Sequence, residues 1–189
     1  MYFVYVNLLL LILLIQKLLK FININLIMAR PRIRGTKKAF FNAIITFILL
    51  SIIVIAVSAY FVFDNKLIGP AFLGLGIINL IFLKIVKIDF KSVYPDMVFG
   101  LIDNGVLVFA AVLGGTYAGI AGAIIGGAAG NTITDGIGGL FEGYIAEHQR
   151  TIKIDNLRTA MSSMLGKMAG CLFGAGVGLI LVWLITSLF

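Results

Sequence analysis

Long apolar runs separated by short polar loops organise this chain. A run from Ala43 to Phe63 and another from Leu67 to Val86 each have about the length of a membrane-spanning helix. Asp64-Asn65-Lys66 reads as the tight polar turn between them, and Gly69-Pro70 opens the second run, where proline is tolerated. Further on, the pattern predicts helix A from Tyr94-Pro95 to Leu113, a turn at Gly114-Gly115-Thr116-Tyr117, and helix B from Ala118 to about Tyr144. A polar loop from Glu147 to Arg158 separates these from helix C, Ala160 to Leu188, with Trp183 placed near its far end as an interfacial aromatic. The expected fold class is all-α: a polytopic helical membrane protein whose three-helix core, residues 93–189, follows a two-helix hairpin, residues 28–92.

Residues 1–27 form an apolar leader whose first basic residues, Lys17 and Lys20, follow the apolar stretch, the reverse of a secretory signal. Met28-Ala29-Arg30-Pro31-Arg32 looks like a beginning in its own right. Either Met28 is the true start or the leader adds a third extra span. Mass spectrometry of the mature N-terminus separates the two, since Tyr2 peptides in membrane fractions exclude a start at Met28.

Composition fits this picture. Of 189 residues, 61% are hydrophobic and 12% charged, against about half and a quarter in soluble domains. The net charge of +7 suggests nucleic acid, but the basic residues lie mostly in short loops between apolar runs. If the loop before the first span is cytoplasmic, all fifteen Lys and Arg except Lys66 and Lys167 fall on the cytoplasmic side. The bilayer is therefore the expected partner, and nucleic acid is not. Cys171 is alone, which excludes an internal disulfide, and it reads as a small packing residue; His148 reads as a solvated loop residue.

The candidate chemistry is polar and lies inside the apolar runs. Asp103 and Asn104 are adjacent in helix A, while Asn131 and Asp135, four apart, share one face of helix B. A charged Asp at mid-bilayer costs about 3 kcal/mol, nearly all that the apolar residues of Met97 to Leu113 return at about 0.4 kcal/mol each. A residue that expensive is expected to face a partner or an ion. Counted from a turn near Gly115, Asp103 and Asn131 differ in depth by about 5 Å, with Asp135 deeper and level with Asp96. The expected ladder is Asp103 and Asn104, then Asn131, then Asp135 with Asp96, then Glu142, with Lys167 of helix C compensating charge. Carboxylate and amide oxygens are what hard cations such as Na⁺ or Ca²⁺ prefer, so Asp103 and Asp135 are the candidate metal ligands. The bland alternative is that Asp103, Asp135 and Lys167 neutralise one another. Two intramembrane acids against one lysine leave a negative charge, which favours a bound cation or proton.

Small residues recur at every fourth position: Ala118, Gly122, Gly126 and Gly130 in helix B, and Ser162, Gly166, Gly170, Gly174 and Gly178 in helix C. In lipid such stripes permit close helix packing, and they could also let helices or subunits slide.

Phe99-Gly100-Leu101-Ile102-Asp103-Asn104, Gly130-Asn131 through Asp135, Gly143-Tyr144, Arg158, Ser162, Gly166-Lys167 and Gly170 together resemble the transmembrane protein 65 family. That family comprises small three-helix proteins of the mitochondrial inner membrane and of bacteria, linked to sodium-dependent calcium efflux. The likeness covers roughly residues 94–185, and the Gly-Asn-x-x-x-Asp helix is also similar to the ion-binding repeats of cation/calcium exchangers. The resemblance implies that Asp103, Asn104, Asn131 and Asp135 bind a transported cation. Two extra spans and no Arg-rich transit segment favour a bacterial cytoplasmic membrane over the mitochondrial one.

The expected function is a secondary cation transporter, exchanging Ca²⁺ and/or Na⁺ and working as a homodimer with no covalent cofactor. The alternative is a non-transporting scaffold or regulatory subunit assembled through the glycine stripes. An enzyme is not expected, for want of a nucleophile–base pair, a metal-ligand set or a phosphate loop.

Overall fold

The computed structural model of the chain describes residues 37–61, 65–151 and 158–188. The leader, Met28 and most of the loop before Arg158 lie outside the described residues. All of the ordered elements among them are helices: α1, Lys37–Phe61; α2, Asn65–Ile85; α3, Phe90–Thr151; and α4, Ala160–Leu188. Each is long and apolar enough to cross a membrane. The chain divides into two compact units within α1, the first ending at Ala56 and the second running from Val57 through α2, α3 and α4. In α1 the hydroxyl of Thr46 donates to the carbonyl of Asn42 at 2.9 Å, so this polar group is satisfied by its own helix.

Helix α3 is a hairpin of two arms. Its apolar stretch, Phe90–Phe141, is 52 residues long, about twice what one crossing needs. The helical path breaks at Ala118 (φ −136°, ψ 23°) and Gly119 (φ 59°, ψ −142°), and the second pair of angles is open only to glycine. The turn therefore lies beyond the expected Gly114-to-Tyr117 segment, which is helical. Gly114 serves close approach instead: a Cβ there would overlap the carbonyl of Gly122. The arms are antiparallel along their length, with Gly114 on Gly122, Ala110 on Gly126, Leu107 on Gly130 and Phe99 on Gly138. The second arm stays helical to Thr151, so the first part of the predicted Glu147–Arg158 loop belongs to it.

Helix α4 packs parallel to the first arm. Gly166 meets Val93, Gly170 meets Met97, Gly174 meets Leu101, and Gly178 meets Gly105 and Val108. On its other side α4 runs antiparallel to α2, with Gly176 against Gly69 and Leu73, and Phe173 against Gly76. The elements of this unit thus lie in the order α2, α4, first arm, second arm. Asn79 of α2 is buried and donates from Nδ2 to the carbonyl of Leu165 at 3.4 Å.

Capping chemistry sets the helix ends. Helix α2 closes with Lys87 N–H on Lys84 O (3.1 Å) and Ile88 N–H on Leu83 O (3.1 Å), the bonds of a Schellman motif. Lys87 occupies its left-handed position at φ 57°, where glycine is usual. Lys87→Gly should therefore stabilise the fold by up to about 1 kcal/mol, read as a higher Tm in detergent. Asp89 caps α3, its Oδ1 accepting from Lys91 N–H at 3.0 Å. Thr159 and Ser162 form a reciprocal box at the start of α4: Ser162 N–H donates to Thr159 Oγ1 (3.1 Å) and Thr159 N–H to Ser162 Oγ (2.8 Å). This box holds Arg158, the residue before the cap, beside the beginning of the first arm.

Candidate functional site

The first arm and α4 begin at the same end of the bundle, where the structure holds a buried ion pair. Asp96 is completely buried, and its Oδ1 accepts from Arg158 Nη2 at 2.5 Å. Its Oδ2 accepts from the hydroxyl of Ser163 at 2.9 Å, and Arg158 Nε donates to that same Ser163 oxygen at 2.8 Å. Carboxylate, guanidinium and hydroxyl thus close a ring that leaves neither charge alone. Asp96 was expected beside Asp135; its partners are instead Arg158 and Ser163.

Higher in the hairpin, Asp103 meets the second arm through Thr134, not through Asn131 or Asp135. The hydroxyl of Thr134 donates to Asp103 Oδ1 at 2.6 Å and lies 3.0 Å from the carbonyls of Gly130 and Asn131. One hydroxyl hydrogen serves three acceptors, and the carboxylate is nearest. Thr134 is buried while Asp103 is half-buried. The expected register placed Asn131 deeper than Asp103, because the turn was assigned too early. With the turn at Ala118–Gly119, Thr134 comes opposite Asp103, and Asp135 is level with Asp103 instead of with Asp96. A Thr134→Val protein keeps the shape but strips this donor, and should lose about 1–2 kcal/mol of stability in detergent melts.

Asn104 turns toward α4, its Nδ2 donating to the carbonyl of Cys171 at 3.2 Å, which leaves its Oδ1 as an acceptor at the same level as Asp103. Cys171 itself packs on Gly100, where a Cβ would have no room between it and the backbone of Lys167. Lys167 lies with Nζ 4.7 Å from the centre of the Phe99 ring, a cation–π arrangement. The Phe99 ring also fills the space that a Cβ on Gly138 would occupy. A narrow apolar cleft between the arms, walled by Pro95, Phe99, Ile102, Ile137 and Phe141, has Thr134 in its lining.

Asn131 and Asp135 form a separate pair on the far side of the second arm. Asn131 Nδ2 donates to Asp135 Oδ2 at 2.9 Å, and Asp135 is exposed. The four expected ligands therefore divide into an inner pair, Asp103 and Asn104, and an outer pair, Asn131 and Asp135. Among the described residues no group of three His, Cys, Asp or Glu could hold a metal. The side chain of Glu142 lies outside the described residues.

All six glycines expected to pack helices sit at close contacts within this chain. Gly122, Gly126 and Gly130 face the first arm from the second, and Gly166, Gly170 and Gly174 face it from α4. The sequence reading missed Thr134, Ser163 and the role of Arg158. Thr134 carried one signal: it is four residues from Gly130 and eight from Gly126, on the buried face of its arm. No family model, curated protein or solved structure matches the chain.

Proposed function

We propose that this multi-pass membrane protein is a secondary cation transporter, with Asp103 as the central ion-handling group. The observation that carries the reading is a half-buried carboxylate, halfway along an apolar hairpin, that among the described residues accepts a side-chain hydrogen bond from a hydroxyl. Asp96, by contrast, is fully neutralised by Arg158 and reads as a structural clasp at one end of the bundle. Asp103 Oδ2, Thr134 Oγ1 and Asn104 Oδ1 are hard oxygens at one level of this core, which suits Na⁺ or Ca²⁺ more than a soft metal. Lys167, stacked on Phe99, supplies a positive charge one helix away. The cleft beside Phe99 reaches Thr134 from between the arms. In this reading the protein works as a homodimer, exchanges Na⁺ against Ca²⁺, and belongs to a bacterial cytoplasmic membrane.

The alternative is a non-transporting scaffold; the glycine stripes proposed to assemble it make close contacts within one chain. Thermal unfolding of purified protein in choline, Na⁺ and Ca²⁺ tests cation handling, since a ligand bound only by the folded form raises the melting point. Na⁺ or Ca²⁺ should raise Tm in the native protein and not in Asp103→Asn. Identical melting in all three salts would count against the reading.

A further inference from the structure

The second arm has two faces of opposite character. Gly122, Gly126, Gly130, Thr134 and Gly138 are spent on the first arm. Opposite them, Ala128, Thr132, Asp135, Gly139 and Gly143 are all exposed, and a Cβ added to Gly139 or Gly143 meets nothing within 4 Å. Asp135 lies in an apolar span and accepts from the side-chain amide of Asn131. Facing acyl chains, a carboxylate would stand where hydrocarbon is least able to solvate it.

We infer that this face of the second arm is the surface on which two copies of the chain meet, joined through their Asn131–Asp135 pairs. The choice of a second copy rests on hydrogen-bond complementarity. An amide has two hydrogens, and Asn131 gives one to its own Asp135. A two-fold axis through the face brings the other hydrogen to the partner's carboxylate, and the reverse bond forms by symmetry. The low relief at Ala128, Gly139 and Gly143 lets the two backbones come close enough for that exchange, as small residues do in lipid. Asp135 then becomes part of a polar cluster at the subunit boundary, and each copy completes the other's. The inference gives the proposed dimer its surface and rests on that reading for its functional meaning.

The test uses full-length protein in liposomes in a Cys171→Ser background, with one cysteine added per variant. Oxidation of Gly139→Cys should give a covalent dimer, and Ile133→Cys, which is 59% exposed on a different side, should give little. Adding Asp135→Leu to Gly139→Cys should lower the dimer yield severalfold. Absence of a Gly139 dimer, equal yields at both positions, or a yield indifferent to Asp135→Leu overturns the inference. So does a Gly139 dimer that appears only after residues 1–27 are removed, because the leader would then be what covers the face. Na⁺-dependent Ca²⁺ flux measured on the same liposomes separates the two claims. Flux without the crosslink removes this interface alone, while the crosslink without flux removes the transport reading and leaves the interface standing.

Discussion

Replacing Gly170 by leucine should prevent the membrane core from assembling. A Cβ at that position would already overlap the backbone of Met97 on the first arm, and backbone cannot rotate aside as a side chain can. Gly166 and Gly174 make matching contacts one turn away on either side, so α4 would have to leave the first arm over several turns. Overpacking a flexible site costs about 1–3 kcal/mol, and a rigid contact should exceed that range. The expected result is loss of the monodisperse species after extraction, or a Tm lowered beyond measurement. Gly74→Leu is the matched control: a Cβ there meets nothing within 4 Å, so its melting should stay near that of the native protein.

The second large effect belongs to the clasp between the first arm and α4. Arg158→Ala leaves Asp96, which has no solvent exposure, with Ser163 as its remaining side-chain partner. Removing one member of a buried pair costs about 3–5 kcal/mol, because the other charge stays where water cannot reach it. Arg158 keeps some exposure, 25% of its side chain, so the lower part of that range is expected. The double variant Asp96→Leu/Arg158→Leu should recover much of the loss, since apolar replacements leave no stranded charge. Melting curves of the single and double variants form a cycle that measures the coupling directly.

Much of this architecture could be read from the chain because lipid simplifies the rules. Long apolar runs become spans, basic loops mark one side, and small residues every fourth position mark close contacts. Both glycine stripes fall on the faces where Gly126 meets Ala110 and Gly170 meets Met97. The hairpin register was not legible. Gly114-Gly115 looks like a turn, yet those glycines are selected for thinness and the φ of 59° falls at Gly119. An error of a few residues at a hairpin tip doubles along the paired arms, so it put Asn131 deeper than Asp103 and hid that Thr134 lies opposite it. The Asp96–Arg158 pair was hidden for another reason: it joins residues distant in the chain, and only the parallel packing of α4 on the first arm brings them together.

The account depends most on Asp103, and Na⁺-dependent uptake of radiolabelled Ca²⁺ into proteoliposomes tests it most directly. The native protein should drive uptake under an outward Na⁺ gradient, and a correctly folded Asp103→Asn protein should fall to the level of protein-free liposomes. Undiminished uptake by Asp103→Asn, or none by folded native protein under any cation gradient, would contradict it.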